Sequence, residues 1–312
     1  DPAFKDYIWG GTRLRDEYGK KCDYDKVAES WELSCHKDGP SVVADGEYKG
    51  LTLNEYIEKA GKGVLGKNCE RFENFPILIK LIDAKDNLSV QVHPDNDYAM
   101  RVEGEYGKTE MWYVVDCDEG ATLLYGFKHE ITKEEFARRI ADNTLLEVTN
   151  AVPVKKGDVF FIKSGTLHAI GKGILIAEIQ QNSNTTYRIY DYGRVGKDGK
   201  PRELHVNKAL DVTKLAPAEQ YPETPVEKKD GYDIKLLSKC EYFTTYRVNV
   251  ETKAELDADE NSFNSILVLE GEPVISGGET VSAKKGESVF ISAGTGKYTV
   301  EGKCTFVLTK ID

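Results

Sequence analysis

Lys155-Lys156-Gly157-Asp158-Val159-Phe160-Phe161-Ile162-Lys163-Ser164-Gly165-Thr166 returns 129 residues later as Lys284-Lys285-Gly286-Glu287-Ser288-Val289-Phe290-Ile291-Ser292-Ala293-Gly294-Thr295. Each copy reads as a turn, a buried strand and a second turn. Gly157 and Gly286 supply the positive φ that a tight turn can require. Any strand bounded by glycines looks somewhat like this, but here the turn chemistry matches without a break. The repeat therefore implies two β units of common architecture. Just beyond the match the copies diverge: the first runs on to His168, and the second has Lys297 at the corresponding place. An imidazole ligates a metal near neutral pH, whereas an ammonium must first lose its proton. The first unit is expected to carry chemistry and the second is not.

Outward from the repeat, short apolar runs alternate with glycine-rich turns. Ile77 to Ile82, Leu88 to His93, Met111 to Val115, Ala121 to Tyr125, Val159 to Ile162 and Ile174 to Ile179 read as strands. Three stretches read as helix. Thr52-Leu53-Asn54-Glu55 is a capping box opening a run to Ala60. Thr132-Lys133-Glu134-Glu135 is another, with Phe136, Ile140 and Ala141 at helical spacing, and Leu204 to Leu215 is the third. Many short strands and few helices predict a mainly β protein, a β-sandwich or small barrel with helical decoration. Pro217, Pro222 and Pro225, three of the ten prolines, fall close together among Ala, Glu and Thr. That composition reads as a semi-rigid linker. It divides the chain into a first domain at 1–216, a linker at 217–226 and a smaller β domain at 227–312.

The chain has 312 residues, enough for two domains on a soft prior of roughly 150 residues each. Its 53 Asp and Glu against 42 Lys and Arg leave a net charge of −11, which argues against a nucleic-acid partner or a polybasic membrane contact. No apolar run of about 18 residues is present. The first residues, Asp1-Pro2-Ala3-Phe4-Lys5, carry no signal-peptide pattern. The cysteines at 22, 35, 69, 117, 240 and 304 form no CxxC pair. Free thiols in a reducing cytoplasm are expected.

The densest chemistry lies in Leu88-Ser89-Val90-Gln91-Val92-His93-Pro94. Alternate residues of a strand share a face, so Ser89, Gln91 and His93 point one way and Leu88, Val90 and Val92 the other. The apolar face belongs to a core. The polar face meets either a cavity or, as on an ordinary antiparallel sheet, solvent. Glu110 opens another apolar strand, and His168 ends the first repeat copy. Two imidazoles, one carboxylate and one amide oxygen suit Zn²⁺ or a similar borderline divalent ion, if a barrel gathers them. Between Glu178 and Arg194 the chain is dense in polar groups, and Arg188 offers a planar fork suited to phosphate. His36, His129 and His205 read as surface or packing histidines. Gly61-Lys62-Gly63-Val64-Leu65-Gly66-Lys67 imitates a phosphate loop, but it follows a helix, and Asn68 stands where Ser or Thr is needed. It reads as a helix-ending loop.

Ordered blocks resemble the type I phosphomannose isomerases (mannose-6-phosphate isomerases) in their shorter bacterial form. They are Tyr7-Ile8-Trp9-Gly10-Gly11, Glu29-Ser30-Trp31, Leu88 through Asp95, Gly107-Lys108-Thr109-Glu110, Ser164 through Gly171, and Gln180 through Arg188, spread over most of positions 4–214. The resemblance implies a cupin-type jelly-roll sandwich. It also implies interconversion of mannose 6-phosphate and fructose 6-phosphate through a cis-enediol, with a phosphorylated hexose as partner. It further implies one zinc ion per chain on Gln91, His93, Glu110 and His168, and active-site residues at Lys80, Ser89, Lys108, Glu178 and Arg188. The family usually has Asp where this chain has Asn184, and Pro where it has Lys163. Lys108, Glu178 and Arg188 are then the expected catalytic residues, and Lys80, Ser89 and Asn184 contact substrate. Glu178 is the expected base, because a carboxylate behind an apolar strand should have a raised pKa.

Two rivals stand beside this reading. A non-catalytic sugar-phosphate sensor would keep the fold and metal but lose proton transfer, and Asn184 is its support. A cupin oxygenase would typically hold iron on two histidines and one carboxylate with open positions for oxygen. A fourth ligand at Gln91 favours zinc over redox iron. Oligomeric state is not legible.

Overall fold

The two copies of the repeat fold alike. Val159–Ile162 and Ser288–Ile291 are each the edge strand of a six-stranded antiparallel sheet in the computed structural model, which describes residues 1–196 and 199–312. Gly157 and Gly286 sit at φ of 89° and 88°, in the left-handed region that glycine enters without steric cost.

The first six-stranded sheet runs, in spatial order, Ala3–Lys5, Glu29–Leu33, Ile77–Ala84, Ile174–Gln181, Glu110–Cys117 and Val159–Ile162. A five-stranded sheet faces it: Tyr187–Tyr190, Val90–Val92, His168–Ala169, Thr122–Phe127 and Thr149–Pro153. The second sandwich pairs Val226–Lys229, Tyr232–Lys239, Thr244–Val250, Cys304–Lys310, Asn264–Gly271 and Ser288–Ile291 with a four-stranded sheet of Lys253–Ala258, Gly296–Glu301, Val274–Gly277 and Glu279–Ser282. The mainly β architecture expected from the repeat is what forms.

Both expected capping sites work. Thr52 and Glu55 close a full capping box on the helix Leu53–Ala60, and the Thr132 side chain caps Lys133–Ala141. The third helix is shorter than its pattern, Val206–Val212 rather than 204–215. A helix at Asn96–Val102, capped by Asp95, was not read from the sequence. The 61–67 segment ends a helix, with Gly61 at φ 91° and two single 3₁₀ turns after it.

The three central strands of the first sheet are buried on both faces, which explains their near-continuous apolar character. One face, with Ile79, Tyr113 and Ala177, shares a core with Phe243, Phe263 and Leu267 of the second sandwich. The other, with Ile82, Trp112, Val114 and Ile176, fills the interior of the first sandwich. The five-stranded sheet is covered on its outside: Val90, Val92 and Leu167 pack with Phe136 and Ala209 of two helices. Helices take up its apolar face, so its polar face turns inward. The strand there is Val90–Val92, shorter than Leu88 to His93, because Leu88 belongs to the interior core instead.

Residues 217–221 lie along the first sandwich, while Thr224 already donates to the Leu236 carbonyl of the second and Val226 opens its first strand. Pro217 bridges Gly126, the Tyr125 hydroxyl donates to the Glu219 carbonyl at 3.0 Å, and the Tyr221 ring lies 5.2 Å from Phe161.

Candidate active site

Strand register builds the site. Across the six-stranded sheet, Lys80 lies opposite Glu178 and Glu178 opposite Trp112, while Gln180 lies opposite Glu110 one step along. Across the facing sheet, Arg188 lies opposite Gln91 and Gln91 opposite His168. Since side chains alternate, each row projects into the interior, and the two rows face one another. Residues separated by scores of positions therefore meet without any loop having to reach.

Among the described residues, His93, Glu110 and His168 form a buried cluster whose potential ligand atoms all lie within 4.8 Å of one another. His93 Nε2 is 3.1 Å from His168 Nε2, and Glu110 Oε1 is 3.4 Å from His168 Nε2. The Nδ1 atoms are committed elsewhere. His93 Nδ1–H donates to the Thr185 carbonyl at 2.9 Å and His168 Nδ1–H to the Thr166 carbonyl at 2.8 Å. Both Nε2 lone pairs therefore converge with Glu110 Oε1, which has no hydrogen-bond partner, and the Lys108 ammonium reaches only the His93 side of this group, 3.2 Å from its Nε2. Converging buried lone pairs repel unless a cation lies among them. The Gln91 amide lies 3.4 Å from His168 Nε2 and can turn its oxygen to the same point. This donor set fits a divalent metal ion, and the backbone carbonyls fix the ligating tautomers.

Beside this cluster sit two ammonium groups. Lys108 Nζ is 2.7 Å from Glu110 Oε2 and 3.8 Å from Glu178 Oε1. Lys80 Nζ is 3.2 Å from Glu178 Oε1 and 3.6 Å from Glu29 Oε2. Indole N–H groups complete the pattern: Trp112 donates to Glu178 at 2.8 Å and Trp31 to Glu29 at 2.7 Å. Two lysines against three carboxylates leave one negative charge, which a divalent cation would convert to one positive.

Burial is the largest influence throughout. It drives His93 well below the usual histidine range and His168 down to about 4, so both imidazoles are neutral and ready to ligate. Burial, then the nearby Glu178 charge, pushes Glu110 up to about 8 in the metal-free protein. A bound cation would reverse that. Glu178 corrects the expectation of a raised pKa. Burial pushes it up, but Lys108, Lys80 and the Trp112 N–H together outweigh it and bring it to about 2.

The rows open on a cavity of about 250 Å³ lined by, among others, Glu29, Lys80, Lys108, Glu178 and Arg188, near the small end of ligand sites (roughly 300–1,000 Å³). Ser89, Gln91 and Asn184 line it too, so every expected substrate contact borders this space. Sequence reasoning gave no role to Tyr7, Trp9, Glu29 or Arg202, which also line it. The alternation of Glu29 with Trp31 was a usable signal, while Arg202 had none. His36 is buried, its ring centroid 5.8 Å from that of Trp31 in an edge-to-face arrangement, and His205 Nδ1 accepts the Arg188 backbone N–H at 3.2 Å. Neither belongs to the ligand cluster.

Residues 1–120 match the family model of the phosphomannose isomerase type I catalytic domain, and residues 233–311 match that of the mannose-6-phosphate isomerase cupin domain. The mannose-6-phosphate isomerase ManA of Bacillus subtilis is 39% identical over 312 residues, 99% of this chain and 97% of the relative. The chain belongs to the type I mannose-6-phosphate isomerases. The mannose-6-phosphate isomerase of Streptococcus mutans is 40% identical over 91% of this chain and 88% of its own length. A crystal structure of the mannose 6-phosphate isomerase from Bacillus subtilis aligns with a TM-score of 0.93 at 38% identity, covering 99% of this chain and 98% of that one. A phosphomannose isomerase structure from Salmonella typhimurium, at 16% identity and a TM-score of 0.81, shares the fold.

In this isomerase the second sandwich repeats the six-stranded sheet with different contents. Aligned by register, Lys80, Glu178, Trp112 and Glu110 correspond to Tyr246, Leu308, Ile266 and Asn264. Ile266 and Leu308 are buried core, and Asn264 donates to the Tyr298 hydroxyl at 2.9 Å. Apolar packing stands where the first sandwich keeps a charged cavity.

Proposed function

We propose that the protein interconverts mannose 6-phosphate and fructose 6-phosphate by moving a proton between C2 and C1 through a cis-enediol, with Zn²⁺ held by Gln91, His93, Glu110 and His168. The observation that carries this reading is the row Lys80–Glu178, which lies beside a metal-ligand cluster and opens on the same cavity as Arg188. Bound there, a divalent ion supplies positive charge that polarises the sugar oxygens. Lys108, close to both the ligand cluster and Glu178, donates to the oxygen that gains charge as the proton leaves carbon. Glu178 Oε1 is the carboxylate oxygen that both lysines approach, and it takes the carbon-bound proton and returns it. Ser89 accepts from Arg188 Nε at 3.3 Å and so aims the guanidinium that anchors the phosphate. Asn184 contacts a sugar hydroxyl. Residues 1–216 act as the catalytic unit, 217–226 connect, and 227–312 form a second β unit whose contribution is structural.

The test is turnover of mannose 6-phosphate by purified protein, followed by fructose 6-phosphate formation. Dialysis against chelator should abolish it, and added Zn²⁺ should restore it. Activity that survives complete metal removal would exclude the ligand assignment.

A further inference from the structure

Arg188 and His168 flank Gln91 on neighbouring strands, so their backbones are two strand spacings apart, roughly 9–10 Å. That separation suits the span from the reacting end of a hexose to a phosphate at its other end. At the Arg188 end, two further guanidinium groups grip one carboxylate. Arg202 donates to Asp191 through Nε at 2.8 Å and Nη2 at 2.5 Å, a two-pronged grip. Arg194 donates to Asp191 Oδ1 at 2.6 Å and is further tied to the Asn87 carbonyl. Arg188 donates to Ser89 Oγ and, through Nη1, to the Glu203 carbonyl at 3.0 Å.

Two guanidinium nitrogens are left over. Arg202 Nη1 and Arg188 Nη2 make no hydrogen bond to the described residues, and both arginines line the cavity. Three positive charges against Asp191 leave an excess of two. The neighbouring carboxylate, Glu203, is 82% exposed and lies beside His205. Burial first, and then the charge of Arg202, hold Arg188 below the usual arginine range, as expected of two guanidiniums that share one space. An excess of two charges on two free forks matches a phosphate monoester, which carries about −1.5 to −2 near pH 7.

We propose that Arg202 is a second phosphate-binding cation of this isomerase: it grips the sugar phosphate together with Arg188, and Asp191 holds its fork in position for that contact. The inference rests on the isomerase reading for the identity of the anion. Asp191 explains why the arrangement stays ordered without substrate. It absorbs one charge of the cluster and fixes the Arg202 plane, so little side-chain entropy is lost when the anion arrives.

The experiment compares metal-loaded wild type with Arg202→Ala, Arg202→Lys and Asp191→Asn. KM for mannose 6-phosphate and the inhibition constant of inorganic phosphate should both rise in Arg202→Ala, by roughly 10–100-fold, the loss of one charge-assisted contact. Arg202→Lys should recover part of the loss, since it keeps the charge without the fork. Asp191→Asn should give a smaller rise in both constants. Bound metal and melting temperature report whether each variant is folded. Where Arg202→Ala does not fold, Arg202→Lys decides, and a KM and phosphate constant both within twofold of wild type overturn the proposal. The same result in a folded Arg202→Ala overturns it equally. Calorimetric titration of the metal-loaded wild type and Arg202→Ala with inorganic phosphate needs no turnover. If wild type fails to isomerise mannose 6-phosphate, the functional reading fails, and this titration still shows whether Arg202 holds the anion.

Discussion

Glu178 is surrounded by donors, and that decides its behaviour. Its pKa falls from 4.5 to about 2, so its ion pairs stabilise the fold above pH 4.5, and this contribution is lost only as pH drops through the folded value. Glu178→Gln should lower kcat by roughly 10²–10⁴ with the metal retained, and near-native turnover would remove Glu178 as the base. Any limb of the kcat/KM profile between roughly pH 5 and 8 belongs to another group, so Glu178→Asp should lower the profile without moving it. Asn184 makes a second residue-scale case. Its Nδ2 donates to Asp38 Oδ2 at 2.9 Å. Asn184→Asp would set two carboxylates at that contact, each raising the other's pKa. Asp38 is 44% exposed, so the loss in kcat/KM should be modest, roughly three- to tenfold. Adding Asp38→Asn should restore the rate, and a double variant no better than the single one would refute the coupling.

Within the sandwich, the short strand His168–Ala169 is the weakest link of the metal cluster, since two residues hold it in place between Gln91 and Tyr125. The chain leaves this strand through Gly171, where a Cβ would meet the Thr122 carbonyl oxygen at 1.8 Å. No side chain fits that contact unless the backbone moves. Gly171→Ala should displace the strand and His168 with it. Metal affinity should fall by roughly 10–100-fold, the usual scale for a lost supporting interaction, while the protein remains folded. Competition with a chromophoric chelator reads this directly, and an unchanged dissociation constant would show that the loop absorbs the shift.

Across the whole molecule, the two sandwiches share one apolar core. Phe263 stacks between Phe75 at 5.5 Å and Phe290 at 5.0 Å, and backbone bonds cross from Lys67 to Glu260, Asn68 to Asn261 and Phe263 to Leu65. A buried ion pair adds a polar tie: Lys20 donates to Glu32 at 2.8 Å and to the Gly286 carbonyl at 2.6 Å. Burial raises the pKa of Glu32, so the lysine is what keeps a charge there tolerable. Lys20→Met leaves that carboxylate buried and unpaired, at a cost of about 3–5 kcal/mol. In urea, followed by tryptophan fluorescence and circular dichroism, the variant should unfold in one transition at lower midpoint. Two separated transitions would mean that the sandwiches are energetically independent.

Features that depend on neighbours along the chain are legible in the order of residues alone. Gly157 and Gly286 mark equivalent turns, Thr52 and Thr132 cap helices through residues three positions on, and Gln91 with His93 share a face because strands alternate. The sequence also carried the family's ordered blocks, and with them the reaction. Tertiary structure decided whatever depends on pairing across sheets. Helices Lys133–Ala141 and Val206–Val212 cover Val90 and Val92, so the polar face turns inward rather than to solvent. Register sets Glu178 between Lys80 and Trp112, which reverses the pKa that burial alone would give it. Arg202 reaches the cavity through Asp191, a partner whose significance shows only when both are seen in space. Electrostatic energy depends on distance through space, and sequence separation does not supply that distance until the fold does.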